Sequence, residues 1–286
     1  MEDRIMQFFY KTTIGRLFIN LLLKAGLPKV MAAYLRSPLS KHLIPRYIKK
    51  HRIPMRDFPE ISYRSFAEFF SRRKEFSVTD PNPSHFSSPC DGLLSAYSIL
   101  PDSSFAIKNS HYRLCDLIDD TELAKRYCNG LCLIFRLTAA DYHHYSFVDD
   151  GYIGKNHLIE GTLHSVQPIA CDAFPVYRLN RRCWKLLDTD HFGPIIQIEI
   201  GALAVGGIVN EYEETSFEKG TVMGHFELCG STIVLLIQKE KIRLLSKIET
   251  VLAAGDEFRV TQGMWIASKP NTEHPEPPTS DKQRSG

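Results

Sequence analysis

The stretch "FELCGSTIVLLI", Phe226 to Ile237, places a glycine, a serine and a threonine at the mouth of an apolar run. Ile233 to Ile237 is continuous, partly β-branched and free of polar alternation, the pattern of a buried strand. A turn accounts for Gly230, but neither turn nor strand requires Ser231. Similar segments recur along the chain: "GLCLIFRL" (130–137), "PIIQIEIGALAVGGIV" (194–209) and "EFRVTQGMWIAS" (257–268), separated by glycine-containing turns. Between them only "DDTELAKRY" (119–127) and "KIETVLA" (247–253) read as helices, too few to alternate with the strands of a parallel βαβ winding. The expectation is an α+β fold with a β-rich catalytic body over residues 61–268.

Residues 1–60 differ in character. From Met1 to Arg56 there are twelve Lys and Arg against Glu2 and Asp3, a net charge of +10 in a chain whose total is +2. The remainder is therefore acidic overall. Within "FFYKTTIGRLFINLLLKAGLPKVMAAYL" (8–35), Phe9, Leu17, Leu21 and Leu22 recur near helical spacing while Lys11, Arg16, Lys24 and Lys29 punctuate them. One or two amphipathic helices are expected, broken at Gly26 and Pro28. Such a region either caps the protein's own core or lies on an anionic lipid surface, and the basic residues suit the second. Nucleic acid fits less well, because the cations are interleaved with aliphatics rather than with stacking aromatics.

Further on, "SYRSFAEFFSRRKEF" (62–76) reads as one short helix and "DPNPSHFSSPCDG" (80–92) as a turn-rich link. The last residues, 269–286, are rich in proline and charge and read as a disordered tail. Seven cysteines, an odd number without a C-x-x-C pair, support neither a disulfide framework nor a zinc site, so a reducing, cytoplasmic compartment is expected. No apolar run approaches the length of a spanning helix, and no secretory signal pattern is present.

Three polar segments stand out in the body. "SSPCDGLLS" offers Asp91 in a turn, "RLTAADYHHYSF" offers Asp141, His143 and His144 after an apolar strand, and the opening stretch offers Ser231. Asp91, His143 and Ser231 together make an orienter, a base and a nucleophile, although each alone is an ordinary turn or strand-end residue. An intact Asp-His-Ser hydrolase and an inactive membrane-binding protein are alternative readings of the same residues.

These segments resemble the phosphatidylserine decarboxylase family, whose members share a P-x-D-G segment, a D-Y-H segment and a late G-S-T. "YRSFAEFFSRR", "LHSVQPIA", "FGPIIQIEIGALAVGGI" and "KGTVMGHFELCGSTIVLL" follow in the family's order, and the similarity runs from Tyr63 to Ser268. The resemblance implies a proenzyme that cleaves itself between Gly230 and Ser231, turns Ser231 into a covalent pyruvoyl group, and needs no metal. It assigns catalytic roles to Asp91, His143 and Ser231, with His143 taking the serine proton and Asp91 holding the imidazole. The implied reaction converts phosphatidylserine into phosphatidylethanolamine and CO₂. The implied partners are an anionic phospholipid membrane, met from the cytoplasmic face, and the protein's own large and small chains, with a homo-oligomer left open. A same-family decarboxylase of a soluble amino acid is the rival, and the basic leader argues against it. Two departures stand out: Ser146 occupies the place where many bacterial members carry a second histidine, raising His144 as a substitute, and Cys229 precedes the scissile glycine where Leu or Gly is common.

Overall fold

The computed structural model describes residues 2–59, 61–75, 79–107, 110–202, 207–228 and 231–270. Cys229, Gly230 and all of the expected tail beyond residue 270 lie outside the described residues. Nine strands form one sheet, running Thr215–Phe217, Gly151–Ile153, Arg182–Thr189, Gly193–Ile200, Ser231–Ile237, Leu131–Leu137, Gly92–Ser98 and Phe258–Val260, with His157–Ile159 also paired to Arg182–Thr189. Every pairing in it is antiparallel. This is the strand-rich, antiparallel body that the scarcity of intervening helices implies.

Ser231–Ile237 lies in the interior of that sheet, between Gly193–Ile200 and Leu131–Leu137, and each of its residues is buried. Its lack of alternation has a direct cause: both faces of the sheet are covered. Ile233, Leu235 and Ile237 pack with Leu133, Phe135 and Phe147 on one face, while Val234 and Leu236 pack with Ile134, Ile196 and Ile198 on the other. Each such side chain, fully removed from water, contributes about 1.5–3 kcal/mol. A smaller antiparallel sheet, Gly207–Asn210, Val222–Glu227 and His144–Ser146, carries the residues that flank the polar motifs.

The N-terminal region forms four α-helices, α1 (Glu2–Lys11), α2 (Thr13–Lys24), α3 (Leu27–Arg36) and α4 (Leu43–His51). The break at Gly26 falls where expected, with a left-handed φ of 85° and Pro28 in the first turn of α3. A further break separates α1 from α2, because Thr12 caps α2 by accepting from the Gly15 amide at 2.9 Å. Gly15 also lets the two helices touch, since a Cβ there would sit 1.9 Å from the Phe8 carbonyl oxygen.

These helices are fastened to the body by polar and apolar contacts. Tyr10 of α1 is 1% exposed, and its hydroxyl accepts from the Ser165 amide at 3.0 Å. Leu35 of α3 and Ile44 of α4 share an apolar cluster with Tyr63, Phe66, Phe69, Phe70 and Leu228. The helix expected over residues 62–76 is only one turn and a half, α5 (Phe66–Phe70), capped by Ser65. Beyond it Arg72 turns inward and lays its guanidinium 4.5 Å and 4.6 Å from the Phe58 and Phe69 ring centres. The short helices Leu114–Ile118, Pro168–Cys171 and Val176–Leu179 had no sequence signal, because four or five residues are too few to show a period.

Large apolar side chains of α2 and α3 are exposed. Ile14, Leu17 and Leu21 of α2 are 74%, 68% and 62% exposed, and Val30 and Tyr34 of α3 are exposed beside them. Among the described residues no single helix is long and apolar enough to cross a membrane; α2 and α3 reach that length only together, across a 60° bend.

A buried charge pair crosses the sheet, Lys185 Nζ to Glu199 at 2.8 Å, with both side chains fully removed from solvent. The two atoms are in ionic contact but poorly aligned for a hydrogen bond, so the attraction is chiefly Coulombic. Gln197 Nε2 donates to the second Glu199 oxygen at 2.8 Å. Removing one charge strands the other in the core. Lys185→Met is expected to lower the unfolding free energy by about 3–5 kcal/mol, and Lys185→Met with Glu199→Leu to recover most of that loss, as read by urea denaturation. A double variant as unstable as the single one would show that the pair itself holds the sheet.

Candidate active site

Ser231 is the first residue of its strand and pairs with Leu137, the last residue of the neighbouring one. The next residue, Thr138, opens a tight turn in which its amide donates to Asp141 Oδ2 at 2.6 Å and its carbonyl accepts from the Asp141 amide at 3.1 Å. Arg259 clamps the other Asp141 oxygen at 2.6 Å. The turn therefore delivers His143 back over the strand end it has just left. His143 Nδ1 lies 3.2 Å from Ser231 Oγ.

The second ring nitrogen decides what that contact can do. His143 Nε2 is 3.1 Å from the Thr138 carbonyl, which can only accept, so Nε2 carries the proton and donates it. Nδ1 is then the lone-pair nitrogen, and Ser231 donates its hydroxyl proton to it. Burial drives the His143 pKa down from 6.5 to about 3, with the Thr138 hydrogen bond opposing the shift. A neutral base facing a serine hydroxyl follows directly. The Phe70 ring covers the imidazole, with centres 4.3 Å apart.

Asp91 is not where the sequence reading put it. Among the described residues its carboxylate accepts from the Gln262 amide at 2.8 Å and, more weakly, from the Tyr142 amide and Lys74 Nζ at 3.4 Å each. The imidazole is held by a backbone carbonyl instead, and Asp91 fixes the backbone one residue before His143. His144 also points elsewhere: its Nε2 meets the Ser71 carbonyl at 2.9 Å, and its ring lies between Tyr142 and His225. Ser146 contacts the Pro89 carbonyl.

The sequence reading named Asp141 without a role and missed Thr138, Phe70 and Arg259. The Thr138-x-x-Asp141 spacing is the one local sign of the turn, because such side chains bond backbone groups a few residues away. Leu228 was also missed. It is buried and has a left-handed φ of 58°, a conformation costly for a bulky residue, three positions before Ser231.

For a metal, the described residues offer one group, Asp149, Asp150 and His191, with ligand atoms within 4.8 Å of one another. Both Asp149 oxygens there already accept from His191, at 2.8 Å and 2.9 Å. No contact joins that group to Ser231 or His143 among the described residues.

Burial also lowers His144 to about 4 and depresses His164 and His225. Histidines held neutral in the fold take up protons more readily once unfolded, so acid favours unfolding. Their effect is absent above the ordinary value near 6.5 and grows as the pH falls from there towards 4 and 3. Urea denaturation is expected to give an unfolding free energy that declines from pH 7 to 4.5, with a shallower decline in a His143→Asn, His144→Asn double variant. An equally steep decline in that variant would assign the acid sensitivity to other groups.

Comparison with known proteins places the chain in a family. The family described as Phosphatidylserine decarboxylase matches residues 66–264. The chain is 38% identical over 267 residues to "Phosphatidylserine decarboxylase proenzyme 2" of Clostridium acetobutylicum, covering 91% of this chain and 90% of that protein. It is 34% and 32% identical to the phosphatidylserine decarboxylase proenzymes of Clostridium perfringens and Clostridium beijerinckii, each over 93% of both chains. With its serine and histidine engaged at one strand end and its likeness spanning nearly the whole length of these relatives, the chain belongs to the phosphatidylserine decarboxylase family.

Proposed function

We propose that this member of the family matures by cutting its own chain between Gly230 and Ser231, and that the mature protein decarboxylates phosphatidylserine to phosphatidylethanolamine at a membrane surface. The observation that carries the first part is the Ser231 hydroxyl facing the lone pair of a neutral His143. His143 takes the hydroxyl proton as Ser231 Oγ attacks the Gly230 carbonyl, and the amide becomes an ester. Elimination then releases the upstream chain with a carboxylate at Gly230 and leaves a dehydroalanine, which takes up water and loses ammonia. Glycine before the serine leaves the attacked carbonyl unobstructed.

Ser231 suits conversion to a pyruvoyl group, because it heads a strand whose backbone is held in the sheet while its side chain faces a base. The carbonyl so formed supplies an electrophile for the substrate amine and accepts the electrons released with CO₂. The chain's own residues do the rest. His143 stands beside residue 231 to move the proton required at the substrate's α-carbon, Thr138 keeps its tautomer, and Asp91 with Gln262 holds the backbone beneath it. The alternative Asp-His-Ser hydrolase loses support, because no carboxylate contacts the imidazole among the described residues.

The N-terminal helices supply the second part. Ile14, Leu17 and Leu21 stand on one side of α2, facing outward, and Lys11, Arg16, Lys24 and Lys29 are exposed along α1 to α3. An apolar face on helices that also expose cations matches an anionic bilayer surface, where each basic residue contributes on the order of 1 kcal/mol that salt screens. The placement that follows is peripheral, on the cytoplasmic face of the cell membrane.

Mass spectrometry of purified protein is expected to find a fragment from residue 231 to 286 lighter than its serine form by one ammonia. Ser231→Ala and His143→Ala should remain uncut, Asp91→Ala should cut slowly, and His144→Ala should cut normally. Intact wild-type protein, or a small fragment beginning with serine, removes the self-processing reading.

Vesicle sedimentation tests the helices. Leu17→Glu with Leu21→Glu is expected to abolish most binding to phosphatidylserine vesicles while leaving circular dichroism and chain cleavage unchanged. Full binding by that variant would place the membrane contact elsewhere.

A further inference from the structure

Beside the catalytic turn lies a cleft of about 590 Å³, with α4 as one wall and the body as the other. Leu43, Arg46, Tyr47 and Lys50 line it from α4, at the i, i+3, i+4 and i+7 spacing of a single helix face. Leu137 and Thr138 line it from the body. These two are the strand partner of Ser231 and the carbonyl that holds His143. The Tyr47 hydroxyl donates to the Ala139 carbonyl at 2.7 Å, so α4 is tied to the same turn. The cleft thus shares a wall with the strand end and turn that hold Ser231 and His143.

Its charge is one-sided. No acidic residue stands on α4, and among the described residues Arg46 makes no ion pair. Arg136, which also reaches the cleft, is by contrast paired to Glu257 through both guanidinium and carboxylate. Arg46 is exposed at the cleft, and its unpaired guanidinium offers between Leu43 and Tyr47 a planar fork of donors that suits a phosphate.

We propose that Arg46 holds the phosphodiester of the lipid substrate. The assignment rests on the decarboxylase reading above. A phosphatidylserine whose amine reaches residue 231 has its phosphate only a few bonds away, and the Leu137–Thr138 wall of the cleft is the segment that also holds Ser231 and His143, so the phosphate would lie within reach of this cleft and of its unpaired cation. The acyl chains continue towards Met6 of α1, which lines the cleft, and the exposed apolar face beyond it.

The test uses the mature two-chain protein and dihexanoyl phosphatidylserine dispersed as monomers, so that binding to a surface plays no part. Arg46→Gln is expected to raise KM about 10- to 100-fold, the loss of a charge-assisted hydrogen bond, with kcat within about twofold. Arg46→Lys should recover part of the loss. Chain cleavage and sedimentation with phosphatidylserine vesicles should match wild type. Glycerophosphoserine should inhibit wild type better than inorganic phosphate, and Arg46→Gln should blunt that inhibition. An active, processed Arg46→Gln enzyme with unchanged KM overturns the assignment alone. So does a KM change accompanied by an equal loss of vesicle binding, or stronger inhibition by inorganic phosphate. Wild-type protein that is uncut or inactive on the lipid sinks the decarboxylase reading together with it.

Discussion

One hydrogen bond, from His143 Nε2 to the Thr138 carbonyl, decides which nitrogen of His143 turns its lone pair to Ser231. A neutral imidazole has one donor and one acceptor, and whichever nitrogen gives its proton to the carbonyl leaves the other free to receive one. The carbonyl belongs to a turn clamped by Asp141 and Arg259, and the turn continues the strand against which Ser231 is registered. Acceptor, base and nucleophile are thus parts of one rigid unit. In the familiar triad a carboxylate both orients the imidazole and favours its charged form; a carbonyl does the first with less of the second. Burial is the larger effect and drives the histidine pKa down, and the carbonyl's hydrogen bond opposes it only in part.

The sequence made some of this legible and hid the rest for physical reasons. Apolar runs without alternation announced strands covered on both faces, and Ser231–Ile237 is such a strand. Ser231 and His143 could be named because a hydroxyl and an imidazole are side-chain groups visible in the sequence, and the structure brings the two to 3.2 Å. Thr138 was not, because its contribution is a main-chain oxygen, which every residue type possesses. Asp91 was assigned a partner by analogy with a triad, yet its oxygens are occupied by backbone amides contributed by Gln262 and Tyr142, 171 and 51 residues away. Such long-range backbone contacts leave no periodicity to read. Leu228 escaped for a related reason, since a left-handed turn without glycine carries no compositional mark.

The N-terminal helices join two demands that often conflict. A helix is ordinarily held by burying its apolar stripe, yet α2 buries Gly15 and Ile19 and leaves Ile14, Leu17 and Leu21 outside. The attachment is carried by other residues: Tyr10 seated against the body, the close α1–α2 contact at Gly15, and the aromatic cluster joining α3 and α4 to α5. That division leaves the outward stripe uncovered while α4 stays registered through Tyr47 to the turn that carries Thr138.

The interior position of Ser231–Ile237 bears on what a cut just before it would leave behind. The new chain end would be stitched to a neighbour on either side, and both faces of its strand would stay covered, so the two fragments would remain a single folded body. Nothing comparable would guide their reunion after unfolding. Two separate polypeptides would have to find each other in solution, with the loop-closure advantage of the continuous chain gone and the serine already spent. A protein so cut could be assembled only from its precursor, and its working lifetime would be set by how slowly that sheet comes apart rather than by how readily it would form again.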